Sequence, residues 1–430
     1  MALGRAAWWA LAAGAVGCGS SVAVEPTGQG GSSVGGSASG GDVPPAPCTL
    51  ELQGEPMVLM GSDEPVARPV VIPETPAEAA TASDLTVLAL VGSNTSGSGF
   101  RVERARYRLG APWPTGVQQT VPPSKWLGVS TPVWLTKSHD AKSAVAVWED
   151  HGGALTFERL GLSDWTTEAS AQLSILPEHT TPYEIVRGRA PSNSETGDYA
   201  VAWRELQVAA PETLLRPVVA VVDGQGKITL GPHGIGALSP SPGAKPTLVW
   251  TTEHYLVAHG RSCDACDEPL SLYRIDPDDD DDAELLWTEA LDAVTHRPVL
   301  LAEGGRVWLA AFVGPNDLEG HRDLVLYELG VDGGVLSGPT VIESGARPLG
   351  DLRGLATPLG LVLAWGGAID EPTPSTFRTQ HVRHLDREGA LRSPPVDVAT
   401  GFYPTTHWRP AITPIAAPRG MLVTWAAEDA

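Results

Sequence analysis

Along this chain short apolar runs alternate with turn-forming clusters, and the alternation itself repeats. Seven times a proline opens a short apolar stretch: Arg68-Pro69, Thr131-Pro132, Thr181-Pro182, Lys245-Pro246, Arg297-Pro298, Arg347-Pro348 and Arg409-Pro410. A second apolar run follows each one and ends on a bulky residue: Leu90, Trp148, Trp203, His259, Phe312, Trp365 and Trp425. These ends lie 58, 55, 56, 53, 53 and 60 residues apart. Self-similarity at such a period marks an array of like structural units.

The unit starting at Lys245 shows the plan. Residues 246–250 (PTLVW) and 254–260 (HYLVAHG) read as two strands joined by the polar turn Thr251-Thr252-Glu253. Residues 270–275 (LSLYRI) and 283–291 (AELLWTEAL) read as a third and a fourth. Each run is short, rich in Leu, β-branched or aromatic residues, and bounded by turn formers, which is the signature of strands in hairpins. The third-to-fourth connection recurs as 221–230 (VVDGQGKITL), 329–336 (LGVDGGVL) and 385–391 (LDREGAL), where Asp and Gly suit the positive φ of tight hairpins. The bulky residues closing the second strands, Trp148, Trp203, Trp365 and Trp425 among them, are expected to pack one unit on the next.

Four antiparallel strands per unit, seven units and no helical period in the repeat region resemble a β-propeller. In that all-β architecture, blades pack face to face around a central channel. The chain ends just after the second strand of the last unit. Residues 48–52 and 57–60, ahead of the first proline, are expected to complete that blade and close the ring of seven by pairing the two termini, with six blades as the alternative.

The N-terminus reads differently. Arg5 is its only charge, and Ala6–Val16 is an apolar stretch of 11 residues, too short to span a bilayer as a helix. It leads through small residues to Cys18, and this order resembles the lipobox of bacterial lipoproteins. The resemblance implies a signal peptide over 1–17, lipidation of Cys18, and placement at the outer membrane or cell surface; a chance Cys after an ordinary secretory signal is the alternative. Residues 18–47 are a Gly/Ser-rich tether that cannot bury a core, with a reach of about 30 Å. Residues 48–430 are then the propeller domain.

Charge narrows the partners. With 51 acidic against 29 basic residues the chain carries −22, which excludes a nucleic-acid partner that would need clustered Lys and Arg. Within that acidic background, five of the seven residues before the opening prolines are basic: Arg68, Lys245, Arg297, Arg347 and Arg409. Innermost strands line a propeller channel, so these five could ring one mouth and take a carboxylate, phosphate or sulfate; pairing with neighbouring acids is the commoner fate of such residues. The same face is expected to carry the long second-to-third connections, 91–99, 204–215, 260–269, 313–322 and 366–376.

Cys263 and Cys266 suit a small loop disulfide in an exported chain, leaving Cys48 unpaired. Zinc on His259, Cys263 and Cys266 lacks a fourth ligand, and Cys-x-x-Cys redox chemistry lacks its βαβ setting. Six carboxylates in Asp276–Asp282 could hold Ca²⁺, but the run lacks the alternating spacing and the Gly of calcium loops, so a solvated turn is expected and no cofactor is assigned. Ser138-His139-Asp140 begins like the Asp-box of propeller sialidases, but Lys142 stands where Gly is needed. No catalytic set can be argued from spacing. The sequence therefore points to a monomeric, membrane-tethered binding scaffold for a protein or glycan. The alternative is an exported hydrolase or lyase on a carbohydrate or anionic substrate, with Glu205, Asp317 or Asp370 as base.

Overall fold

The structure is a computed structural model. The residues it describes are 6–16, 49–52, 57–62, 66–73, 84–93, 99–108, 115–120, 134–140, 142–149, 154–164, 166–174, 181–189, 197–209, 212–236, 246–259, 270–278, 283–289, 294–314, 321–348, 352–358, 360–369, 379–399, 411–415 and 420–428. Cys18, the tether, Cys48, Lys245, Cys263, Cys266, Asp317, Asp370 and Arg409 lie outside them. Among the described residues no helix is long and apolar enough to cross a membrane.

Strands follow one another as four-stranded antiparallel meanders. The first is β4 (Val66–Pro73), β5 (Asp84–Ser93), β6 (Gly99–Arg108) and β7 (Thr115–Thr120). Next come β8 (Trp134–Lys137), β9 (Ser143–Glu149), β10 (Leu155–Gly161) and β11 (Thr167–Ser174). The third holds β12 (Thr181–Arg187), β13 (Asp198–Ala209), β14 (Glu212–Asp223) and β15 (Ile228–Gly234). The fourth holds β16 (Thr247–Trp250), β17 (Tyr255–His259), β18 (Leu270–Ile275) and β19 (Glu284–Glu289). Two further units are β20 (Val294–Glu303), β21 (Arg306–Gly314), β22 (Arg322–Leu329) and β23 (Val335–Pro348), then β24 (Arg353–Thr357), β25 (Gly360–Ile369), β26 (Thr379–Leu385) and β27 (Val396–Ala399). These two fuse into one sheet because the end of β23, Ala346–Pro348, pairs with Gly367–Ile369 of β25.

First strands of successive units lie against one another: β4 on β8, β8 on β12, and so on through β16, β20 and β24 to β28 (Ala411–Ile415), which in turn lies on β4. Apolar clusters fill the faces between units. Val145, Leu155 and Phe157 of the second unit pack on Tyr199, Trp203 and Val218 of the third. Val219 and Val221 meet Tyr255 and Val257; Leu256 and Leu272 meet Leu309 and Tyr327; Trp308 and Phe312 meet Leu363 and Trp365. No unit buries both faces of its sheet alone, so stacking supplies the core. This is a β-propeller.

Two kinds of detail pin one unit to the next. Second, third and fourth strands donate into the neighbour's third-to-fourth turn: Arg159 to the Gly224 carbonyl at 2.8 Å, Trp287 to that of Gly333 at 2.8 Å, and Trp308 to that of Arg387 at 3.1 Å. The glycine in such a turn packs on the preceding unit. Gly226 has φ +83°, and a Cβ there would stand 2.6 Å from the Ser170 carbonyl oxygen, so both conformation and space require glycine. Asp223 and Asp386 cap these turns by accepting two backbone amides each.

Three sequence expectations are corrected. Three of the seven prolines, Pro69, Pro182 and Pro298, stand within their first strands rather than ahead of them, and the ladder skips there: between Ala67 and Val70, Pro182 and Glu184, and His296 and Val299. Pro246 and Pro410 come immediately before β16 and β28, as expected. Proline has no N–H to give the ladder, so a bulge is the local solution. Residues 204–215 form no long loop; the β13–β14 ladder runs on to Ala209↔Glu212, leaving only two residues to turn. Lastly, β29 (Gly420–Glu428) pairs with β1 (Ala6–Val16), not with β2 (Thr49–Leu52) or β3 (Met57–Ser62), which pair with β1 from its other side. In the full chain the 11 apolar residues read as a signal peptide thus take the open edge of β29, where their amides and carbonyls find partners.

Candidate functional site: the middle of the propeller

Register fixes which residues stand at one level of the first strands. Take the residue one step before the bulky end of each second strand. In the described ladders its partner is Trp134, Glu184, Thr247, Arg353 or Ala411. One step further along, the partners are Val70, Leu135, Ile185, Leu248, Val299, Gly354 and Ile412, with no charge among them. Where the ladder is regular, this level holds one acid and one base over an apolar level; in β4 and β20 the bulges put Arg68-Pro69 and Arg297-Pro298 opposite the same position.

These two charges meet. Arg353 Nη1 donates to both carboxylate oxygens of Glu184, at 2.9 and 3.0 Å. Glu184 is on β12 and Arg353 on β24, strands with β16 and β20 standing between them, so the ion pair crosses the middle of the propeller. Both side chains are largely shielded, 17% and 21% exposed. With apolar residues below and little water around them, the two charges interact more strongly than a surface pair would.

The five basic candidates fare unevenly. Arg347 is described: its Nη2 donates to His321 Nε2 at 2.9 Å, and His321 Nδ1 lies 2.9 Å from the Gly345 carbonyl. An arginine only donates, so in this contact His321 Nε2 accepts and Nδ1 faces the Gly345 carbonyl as donor. Arg68 and Arg297 lie on β4 and β20 at the bulges, in equivalent places, but their side chains are outside the described residues, as are Lys245 and Arg409 altogether. The structure thus brings together Glu184 and Arg353, which the sequence did not single out. Glu184 follows Pro182 by two residues, whereas Arg353 follows Pro348 by five with Asp351 between, so no common pattern marked the two.

A second ionic cluster lies between the fifth and sixth units. Arg383, only 1% exposed, donates from Nε to Glu343 at 2.7 Å and from Nη1 to Asp397 at 2.7 Å. Its guanidinium lies over the Trp365 ring, 5.1 Å from the centroid. His381 stacks on the same indole and approaches Asp397 at 2.8 Å. Burial pushes the Asp397 carboxyl up, but His381 and Arg383 more than offset it and hold the group at about 2. The sign follows directly. A carboxyl ionising at about 2 when folded and about 4 when unfolded lends stability above pH 4, and that contribution is lost as pH falls towards 2. Urea midpoints recorded between pH 5 and 2 should fall more steeply for the native chain than for Asp397→Asn, and parallel curves would refute this coupling.

Other candidates resolve into turns and ladders. Asp140 accepts the Ser138 hydroxyl and the amides of Lys142 and Ser143, so the Asp-box-like segment is a self-capped turn after β8. Asp276 accepts the Asp278 amide, and Asp278 pairs with Arg189 at 3.0 Å; Asp279–Asp282 lie outside the described residues. Among the described residues no group of three or more His, Cys, Asp or Glu is placed to hold a metal. Glu205 sits within β13, buried and accepting from Ser174 at 3.4 Å, rather than in a loop. Trp203, Phe312 and Trp365 are fully buried as expected. Trp148 is half-buried instead, and its Nε1 donates to Glu158 at 3.2 Å.

No family model and no curated protein sequence matches the chain. Among solved structures it is similar to the β-propeller domain of the Trilobed protease from Pyrococcus furiosus, at 10% identity over 78% of this chain and 86% of that one, with a TM-score of 0.42. It is also similar to the Dos1 propeller, at 11% identity over 81% and 76%, with a TM-score of 0.38. Against the acylaminoacyl peptidase of Pyrococcus horikoshii it is 10% identical over 70% of its own length with a TM-score of 0.39, and spans only 43% of that chain.

Proposed function

We propose that the protein is a seven-bladed, membrane-tethered propeller that binds a protein or glycan at the face on which its second-to-third loops open. The observation carrying this reading is the Glu184–Arg353 pair. It spans the middle of the propeller over an apolar level and ties two shielded side chains, Glu184 and Arg353 through its Nη1, to one another. A ligand then meets a closed floor and must be recognised at the mouth above it. Seven blades are supported by the succession of first strands from β4 to β28 and back to β4. Export with a lipid on Cys18 rests on the sequence; removal of residues 1–17 would free the edge of β29 for β2 or β3 to take.

The test uses the purified full chain in detergent, screened on arrays of neutral and acidic glycans and against ester and glycoside substrates. Saturable binding without turnover supports the scaffold. Turnover that disappears in Glu184→Gln would replace it with the hydrolase reading. Fractionation of a Cys18→Ser variant tests the anchor: a chain that stays in the membrane fraction would remove it.

A further inference from the structure

We propose that Arg353 is the anchor of a carboxylate-binding site at the centre of the ligand-binding face, which rests on the reading of that face given above. Glu184 occupies Arg353 through Nη1 alone. Among the described residues, the Nε and Nη2 of Arg353 donate to no protein acceptor, and neither is sealed away from solvent. Those two nitrogens form the edge of a guanidinium that matches a carboxylate with two parallel hydrogen bonds. Buried ion pairs elsewhere in this protein use arginine more fully: Arg383 engages one acid through Nε and another through Nη1. Arg353 is different in keeping its bidentate edge open while partly shielded, the setting in which a charge-assisted bond is strongest.

Glu184 has a positioning role here. Its carboxylate fixes Nη1 from across the propeller and so presents the opposite edge in one orientation, at little further entropic cost when a ligand arrives. The apolar level beneath, with Ile185, Leu248 and Val299 buried, keeps water from reaching the guanidinium from below. In the described ladders the level of Arg353 contributes Trp134, Thr247 and Ala411 besides Glu184, and the bulges of β4 and β20 bring Arg68 and Arg297 to it, so the acid an incoming carboxylate meets there is Glu184, paired with Arg353. The site selects the carboxylate, whether carried by a small free acid or by an acidic sugar.

The experiment titrates the full chain with succinate and with glucuronate at constant ionic strength. The side-chain Nε–H resonance of Arg353 is followed by NMR alongside calorimetry. Saturable binding that shifts this resonance is expected, with affinity falling about tenfold in Arg353→Lys, which keeps the charge and the partnership with Glu184 but has no planar edge. Comparing the two acids tells whether a free or a sugar-borne carboxylate is preferred. Should Arg353→Lys fail to fold, the native-chain resonance still decides the matter. An unmoved resonance at saturating acid, or equal affinity in a folded Arg353→Lys, overturns the proposal. Glycan or protein binding that survives such a result would leave the scaffold reading standing while this site falls.

Discussion

Replacing Arg383 by Met is expected to destabilise the protein by about 3 kcal/mol, because it strands two acids that the arginine holds. Met fits the volume and still covers the Trp365 ring, so the loss is electrostatic rather than a cavity. Glu343 belongs to the outer strand of one unit and Asp397 to that of the next, so the change also unties two blades. Asp397 is 42% exposed and regains some hydration, which keeps the figure at the lower end for a broken buried pair. Urea unfolding of Arg383→Met against the native chain measures it. The triple change Arg383→Met, Glu343→Gln, Asp397→Asn should recover part of the loss by removing the stranded charges. A single-variant cost below about 1 kcal/mol would show that the cluster is solvated in practice and ties nothing.

Trp203→Ala is expected to cost about 4 kcal/mol, the range for deleting a fully buried indole. Trp203 is completely buried among Val145, Leu173, Tyr199 and Val218, at the face between the second and third units. Trp203→Phe separates packing from polarity. The indole Nε1 of Trp203 is buried without a hydrogen-bond partner among the described residues, so removing it forfeits no bond. The Phe variant should therefore lose less than about 2 kcal/mol, from volume alone. Equal losses for Ala and Phe, measured by the same unfolding, would mean that the N–H has an acceptor in solution and that the indole does more than fill space.

Much of the architecture was legible in the chain because it repeats. The strands of the unit after Lys245 lie within a residue or two of their expected places, since period-2 patterning and Asp/Gly turns act locally and each unit meets the same neighbours. Trp203, Phe312 and Trp365 were expected at the faces between units and are there, since large apolar groups at a fixed place in every repeat have only each other to bury against. Pro69, Pro182 and Pro298 were placed at strand starts, whereas the chain absorbs these three as bulges. A missing N–H interrupts a ladder without ending it when the rest of the strand is held from both sides.

The candidate site was another matter. Arg68, Lys245, Arg297, Arg347 and Arg409 attracted notice because they recur at one place in the repeat, and recurrence is what a sequence displays. Glu184 and Arg353 do not recur; each is an exception in its own unit, 169 residues from its partner. The same holds for Arg383 and Glu343, a base and an acid of adjacent units that only stacking brings to 2.7 Å. By itself the sequence determined the repeat, the all-β class and the turns, because those follow from local patterning. Only the tertiary structure decided which charges face one another, because ion pairing depends on distance in space and on the exclusion of water, and neither is written along the chain.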